Sequence, residues 1–251
     1  MKYVFAGDRQ ISVEILQFLI SKGYKPEALL VSKGANESHA KALITTSNLP
    51  SSRIFEGQEF KSAEAIKFLT GLNLDYIFGI HFPYIIPKQV LDIPKVGFLN
   101  LHPAFLPYNK GWHTPSWAII DKTPYGATLH FMAEELDAGD ILHQKEINIT
   151  PEDTANSLYF KVLALEVETF KEALPEILTL KPTRIKQTEK GTSKTKKDLA
   201  AIQEINLSAT YTGEELVNKL RALTTNRIEE AAYFIKDGKK IAVQVSLEQI
   251  E

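Results

Sequence analysis

Three side chains carry the chemistry that this sequence shows first: Asn100, His102 and Asp137. Asn100 and His102 close the mostly apolar run Gly97-Phe98-Leu99-Asn100-Leu101-His102, which predicts a short strand. Pro103 ends that strand because proline brings no ladder donor. Positions two apart on a strand share a face, so the amide and the imidazole aim at one spot. Asp137 falls in the turn sequence Leu136-Asp137-Ala138-Gly139-Asp140, between segments 128–132 and 141–147 that read as strands. An amide N–H, an imidazole and a carboxylate supply an oxyanion donor, a general base and a group that orients and charges the base. That set suits acyl transfer. Taken alone, each piece also has an inert reading, as a turn asparagine, a structural histidine and a plain turn.

The elements that must position these groups begin with a βαβ unit. Residues 2–6 read as a buried strand and Gly7-Asp8-Arg9 as its turn. Ile11, Ile15, Leu16, Leu19 and Ile20 recur at helical spacing, Gly23 stops the helix, and 28–31 form a second strand. This order predicts an α/β fold with a mainly parallel sheet and right-handed crossovers. Gly7 stands alone, so the three-glycine dinucleotide fingerprint is missing. Arg9 either meets an anionic ligand at the helix start or stands in solvent. Helices follow over 39–47 and 62–71, then a central strand over 74–80 with the loop His81-Phe82-Pro83-Tyr84. A helix from Pro115 buries Trp117 and Ile120. A long amphipathic helix over 154–178 buries Leu158, Val162, Leu165, Phe170 and Leu174, with Pro175 late in it.

After Lys181-Pro182 the texture becomes linker-like, with Arg184, Lys186, Lys190, Lys194, Lys196 and Lys197 against only Glu189 and Asp198. Thr212-Gly213-Glu214-Glu215 caps a further helix, and an Asp237-Gly238 turn joins two closing strands into a hairpin. The expected division is therefore 1–181, which would hold the chemistry, and 182–251, a linker with a small α+β subdomain ending in the hairpin.

The 251 residues carry a formal net charge of -2, with 44% hydrophobic and 24% charged residues, an ordinary globular composition. There is no cysteine, which removes disulfides, thiolate metal sites and thiol nucleophiles. The near-neutral balance argues against a nucleic-acid footprint. The start turns polar too early for a signal peptide and no apolar run is long enough to span a membrane, so the expected compartment is the cytoplasm.

Five blocks in register resemble the formyltransferase family that uses 10-formyltetrahydrofolate. They are Asn100-Leu101-His102-Pro103-Ala104-Phe105-Leu106-Pro107, Lys110-Gly111, Pro115-Ser116-Trp117-Ala118-Ile119, Gly126-Ala127-Thr128-Leu129-His130 and Leu136-Asp137-Ala138-Gly139-Asp140. The resemblance implies a Rossmann-like catalytic domain with helices on both faces of its sheet. It makes Asn100 the oxyanion stabiliser, His102 the base and Asp137 its charge partner, with no metal. It also implies that the folate is held at the end of the central strand and in the Asp137 turn, by Phe78, Ile80, His81, Phe82, Leu136 and Gly139. A flat pterin suits apolar side chains and strand-end backbone groups. Phe78, Ile80 and Phe82 equally fit a plain core, and His81 is not fixed in the family.

Three branches of the family compete. The purine-pathway enzyme ends too early and lacks the Arg221-Ala222-Leu223 segment and the hairpin. The methionyl-tRNA branch carries a larger, basic C-terminal barrel, whereas residues 182–251 hold twelve Lys plus Arg against ten Asp plus Glu. The branch acting on nucleotide-linked amino deoxysugars matches the short tail, the hairpin and the wording Leu106-Pro107-Tyr108-Asn109-Lys110-Gly111. The expected acceptor is a dTDP-linked 4-amino-4,6-dideoxyglucose used for O-antigen or other surface polysaccharide. Arg9, Tyr108, Asn109, Lys110 and Trp112 are the candidates for holding it, and Trp112 reads as a stacking platform or as a surface lid. The hairpin, with Ala232, Phe234, Ile241, Val243 and Val245 alternating, implies a homodimer by family analogy, or else an intramolecular packing. A silent relative that only binds a folate or a sugar nucleotide is the other class of reading.

Overall fold

The computed structural model describes residues 1–250. In chain order the elements are β1 (Tyr3–Gly7), α1 (Arg9–Ser21), β2 (Ala28–Val31), α2 (Ala40–Ser47), β3 (Ile54–Glu56), α3 (Ala63–Gly71), β4 (Tyr76–Ile80), α4 (Lys88–Leu91) and β5 (Gly97–His102). They continue with β6 (Lys110–Gly111), α5 (Thr114–Ile120), β7 (Tyr125–Phe131), β8 (Ile141–Ile147), α6 (Ala155–Leu178), β9 (Ser193–Lys194), α7 (Lys196–Ile202), α8 (Gly213–Ala222), β10 (Ala232–Lys236) and β11 (Lys239–Val243).

Seven strands form one open, Rossmann-like sheet in the order β3-β2-β1-β4-β5-β7-β8. The pairs from β3 through β5 are parallel and β5–β7 is antiparallel. Every residue of β1, β2 and β4 is buried, as expected of strands covered on both faces. Strand β5 lies between β4 and β7, with Gly79 opposite Asn100 on one side and His130 opposite Asn100 on the other. A Cβ on Gly79 would sit 2.8 Å from the Phe98 ring, so only glycine lets β4 and Phe98 pack this closely.

The chain forms two compact units. The first comprises residues 1–102, 128–144 and 166–187. Its core gathers Val4, Leu30, Leu69, Ile77 and Phe98, beside an aromatic stack in which Phe78 packs on Tyr3, Tyr76 and Phe170. The second comprises 103–127, 145–165 and 188–251. Its cores join Tyr125, Leu158 and Val162, and Trp117, Leu199 and Leu223. Helix α8 starts from a capping box between Thr212 and Glu215. The β10–β11 hairpin turns at Asp237 and Gly238, both at positive φ, as a tight two-residue turn requires.

The α/β sheet and the terminal hairpin agree with the pattern of the sequence. Two features depart from it. Strand β3 carries no alternation strong enough to mark it. The segment after Pro182 is more than a loop: Ile185 bridges Ile141, β9 pairs with β6, and α7 follows under a Thr195–Asp198 capping box. Its lysines and threonines mask those backbone pairings.

Candidate active site

Asn100 and His102 occupy alternate positions at the end of β5, and the next strand fixes the amide. The Asn100 Nδ2 lies 3.1 Å from His130 Nε2, while His130 Nδ1 lies 3.0 Å from the Phe131 carbonyl oxygen. A carbonyl can only accept, so Nδ1 carries the proton and Nε2 accepts from the Asn100 amide. One N–H of Asn100 is thereby spent on His130, and the amide cannot rotate its oxygen into that place without facing a lone pair.

Asp137 reaches the same cluster from the β7–β8 turn. Its carboxylate oxygens lie 3.6 Å from His102 Nε2 and 3.7 Å from His130 Nε2, which is ion-pair reach rather than hydrogen-bond length. The side chains of His102 and Asp137 are each 9% exposed, and the two histidine rings stand edge to face. His102 Nε2 has no hydrogen-bond partner among the described residues. Catalytic hydrogen bonds commonly tighten only around substrate. The Asp137 backbone is left-handed, with φ 51°, a conformation that costs roughly 1–2 kcal/mol in most residues and least in Asp and Asn. Gly139 is buried against β7: a Cβ there would come within 1.8 Å of the Phe131 carbonyl oxygen. Only glycine fits.

The other expected folate residues divide. Phe78 and Ile80 have no exposed surface, and the Phe78 ring is enclosed by three aromatic neighbours. Their side chains serve the core, which leaves backbone atoms at that strand end for any ligand. His81, at φ 51°, gives its Nε2 to Glu166, 2.9 and 3.0 Å from the two carboxylate oxygens, so the ring anchors the loop to α6. Phe82 packs edge-on to Phe60 and Tyr84. Leu136 is 62% exposed beside Asp137, an apolar surface open to a ligand.

Of the expected sugar residues, Arg9 is exposed at the start of α1 with φ 67°. In the second unit, the Tyr108 hydroxyl donates to Glu189 at 2.7 Å, which raises its pKa. Asn109 turns its side chain into the protein. It is buried, its Nδ2 donates to Thr123 and to the Pro124 carbonyl, and its Oδ1 accepts from Thr123. Lys110 is half-buried in β6, and Trp112 is 52% exposed with the Lys196 ammonium 3.8 Å over its ring. Beside it, His113 lies 3.7 Å from Glu230, and burial chiefly lowers its pKa.

A family model described as formyl transferase matches residues 7–174, more than half of the chain. This protein belongs to the formyl transferase family. A second model, described as an N-formyltransferase dimerization C-terminal domain, matches residues 198–249 of this formyltransferase. A methionyl-tRNA formyltransferase from Geobacillus sp. (strain WCH70) is 30% identical over 229 residues, covering 89% of this chain and 71% of the relative. A dTDP-4-amino-4,6-dideoxyglucose formyltransferase from Mycobacterium bovis is 31% identical over 174 residues, covering 69% and 74%. The crystal structure of a 4-N formyltransferase from Francisella tularensis superposes with a TM-score of 0.85 at 29% identity, covering 99% of this chain and 98% of that one.

Sequence reasoning passed over His130 and Glu166 as site residues. His130 was legible, because it closes the Gly-Ala-Thr-Leu-His block on a strand with its face set by alternation. Glu166 had no signal beyond being a carboxylate in a helix whose other inward positions, Thr169 apart, are apolar. Among the described residues no group of three or more His, Asp or Glu could hold a metal, and no helix is long and apolar enough to cross a membrane.

Proposed function

We propose that this formyltransferase moves the formyl group of 10-formyltetrahydrofolate onto the amino group of a nucleotide-linked amino deoxysugar, with dTDP-4-amino-4,6-dideoxyglucose as the acceptor. The observation that carries the chemistry is the convergence of Asn100, His102 and Asp137 at the end of β5. His102 accepts the proton that the attacking amine gives up. Asn100 donates its second N–H to the formyl oxygen as charge gathers there, worth about 3 kcal/mol for one such donor. Asp137 orients the imidazole and favours its protonated form. The formyl carbon gains a bond to the sugar nitrogen and loses its bond to the folate nitrogen, which takes the proton back from His102.

The exposed Leu136 and the backbone at the ends of β4 and β5 suit a flat, partly apolar folate. Arg9, Lys110, Tyr108 and Trp112 remain the candidates for the sugar nucleotide. The sugar branch is supported by the likeness to a 4-N formyltransferase along nearly the whole of both chains, hairpin included. We place the domain boundary between residues 181 and 182, in keeping with the extents of the two family models. A role in supplying formylated sugars to a surface polysaccharide follows from the acceptor.

The test is a mass-spectrometric assay with 10-formyltetrahydrofolate and a panel of dTDP-, UDP- and GDP-linked amino sugars. The expected result is that dTDP-4-amino-4,6-dideoxyglucose gains the mass of one formyl group in place of hydrogen. Formylation of charged initiator tRNA instead of any sugar would replace this reading with the methionyl-tRNA one. Inertness towards both would leave a silent binding protein.

A further inference from the structure

Gln187 lies in the stretch whose composition reads as linker, yet its side chain ends against the Asp137 turn. Its Nε2 is 2.9 Å from the Asp137 carbonyl oxygen and 2.8 Å from that of Gly139. Two carbonyl oxygens facing one end of an amide accept the NH2 there and would repel the oxygen, so the orientation of the Gln187 amide is fixed by chemistry. The chain around it is held on the same unit. Ile185 and Ile141 exchange backbone hydrogen bonds of 2.7 and 2.9 Å. The Arg184 guanidinium stacks 3.6 Å over the Phe131 ring, donates to the Val96 carbonyl at 2.5 Å and lies 3.9 Å from Asp140. The platform is therefore tied to the start of β5, the end of β7 and the start of β8. From it, Gln187 reaches the carbonyl of Asp137 itself.

We propose that Gln187 is a positioning residue for formyl transfer: by holding the Asp137 and Gly139 carbonyls it sets the left-handed turn at Asp137 and so aims the carboxylate at His102. The inference rests on the catalytic reading of Asp137 given above. The turn is also held by the Ala138 N–H on the Glu135 carbonyl at 3.4 Å, long for a hydrogen bond, and at its far end by the Phe131 N–H on the Asp140 carbonyl at 2.8 Å. The Gln187 amide adds two shorter bonds, on the Asp137 and Gly139 carbonyls themselves.

The test is a double-mutant cycle on the intact protein. Gln187→Met keeps length and bulk but loses both N–H donors, and Gln187→Glu keeps shape while setting oxygen against the two carbonyls. Each is made alone and with Asp137→Asn, and assayed for kcat, KM and thermal unfolding with 10-formyltetrahydrofolate and the panel sugar that accepts the formyl group. The expected result is a kcat at least tenfold lower with both KM values within threefold, and less than a twofold further loss in the Asp137→Asn background, where no carboxylate is left to aim. A kcat for Gln187→Met within twofold of the parent, or an equal loss in both backgrounds, would overturn the proposal while leaving the role of Asp137 intact. Full activity in Asp137→Asn would sink both readings. If Gln187→Met does not fold, Gln187→Glu decides by the same cycle, and failure of both to fold would assign Gln187 to the fold alone.

Discussion

At the scale of single residues, the site works by taking freedom away from groups before a substrate arrives. Asn100 is useful as a donor only while its NH2, and not its oxygen, points outward, and His130 enforces that by accepting one of the two N–H groups. Asn100→Ala should lower kcat by about 10²–10³-fold, the usual loss for one oxyanion donor, with KM little changed. His130→Leu should give a smaller loss, on the order of tenfold, by releasing the Asn100 amide. Steady-state kinetics on both variants checks this, and a His130→Leu enzyme at parental kcat would remove His130 from the machinery. The pairing of Asn100 with His102 was legible because strand alternation is a rigid rule. The use of Asn109 was not. Its place in a lysine-glycine motif suggested a ligand, whereas its left-handed backbone, φ 56°, and the hydroxyl of Thr123 make it a turn brace.

Among elements, α6 shows how far a start signal reaches. Thr150-Pro151-Glu152-Asp153 reads as a cap region, and Asp153 is the residue that closes it. Its carboxylate accepts from the Thr150 N–H and hydroxyl, the Ser157 hydroxyl and the Lys161 ammonium. Burial alone would raise its pKa, but those donors outweigh burial and the pKa is lowered. A carboxylate with a lowered folded-state pKa stabilises the fold above its unfolded value, and that share is lost as pH falls through the folded pKa. Asp153→Ala should cost about 1.5–3 kcal/mol at neutral pH, the range for losing hydrogen bonds to a charged group. The gap between variant and parent should close in acid, as read from denaturant unfolding at a series of pH values. A gap that does not change with pH would contradict the electrostatic account. The strap from Arg184 to Gln187 was illegible for the opposite reason. It acts through backbone bridging and one amide, and neither leaves a periodic trace.

For the whole molecule, the hairpin is the feature still looking for a use. Ala232, Phe234, Ile241 and Val243 share one face of β10–β11, and Ile241 is 41% exposed. Ala232 belongs to the core with Trp117 and Leu199, and Phe234 and Val243 are half-buried, so the part of this face open to a partner is its outer end at Ile241. We propose that the partner is a second copy of this chain, a reading supported by the description of the matching C-terminal family model. Sedimentation velocity at micromolar concentration should give twice the chain mass for the parent and one chain for Phe234→Asp/Ile241→Asp. A parent that sediments as one chain would rule the dimer out.

The pair between His81 and Glu166 also bears on how the molecule comes into being. The partners stand 85 positions apart, and nearby the buried Tyr76 hydroxyl, its pKa pushed up to about 12, finds its acceptor at Ile177, 101 positions on. Glu166 is 0% exposed, so its carboxylate has no water to fall back on once the interior closes. A growing chain that has delivered β1 through β5 has therefore delivered an imidazole and a phenol whose acceptors do not yet exist. Loop closure over such separations is slow compared with local helix formation. The end of β4 is translated before Asn100, His102 and Asp137, yet it becomes whole only once α6 is in place.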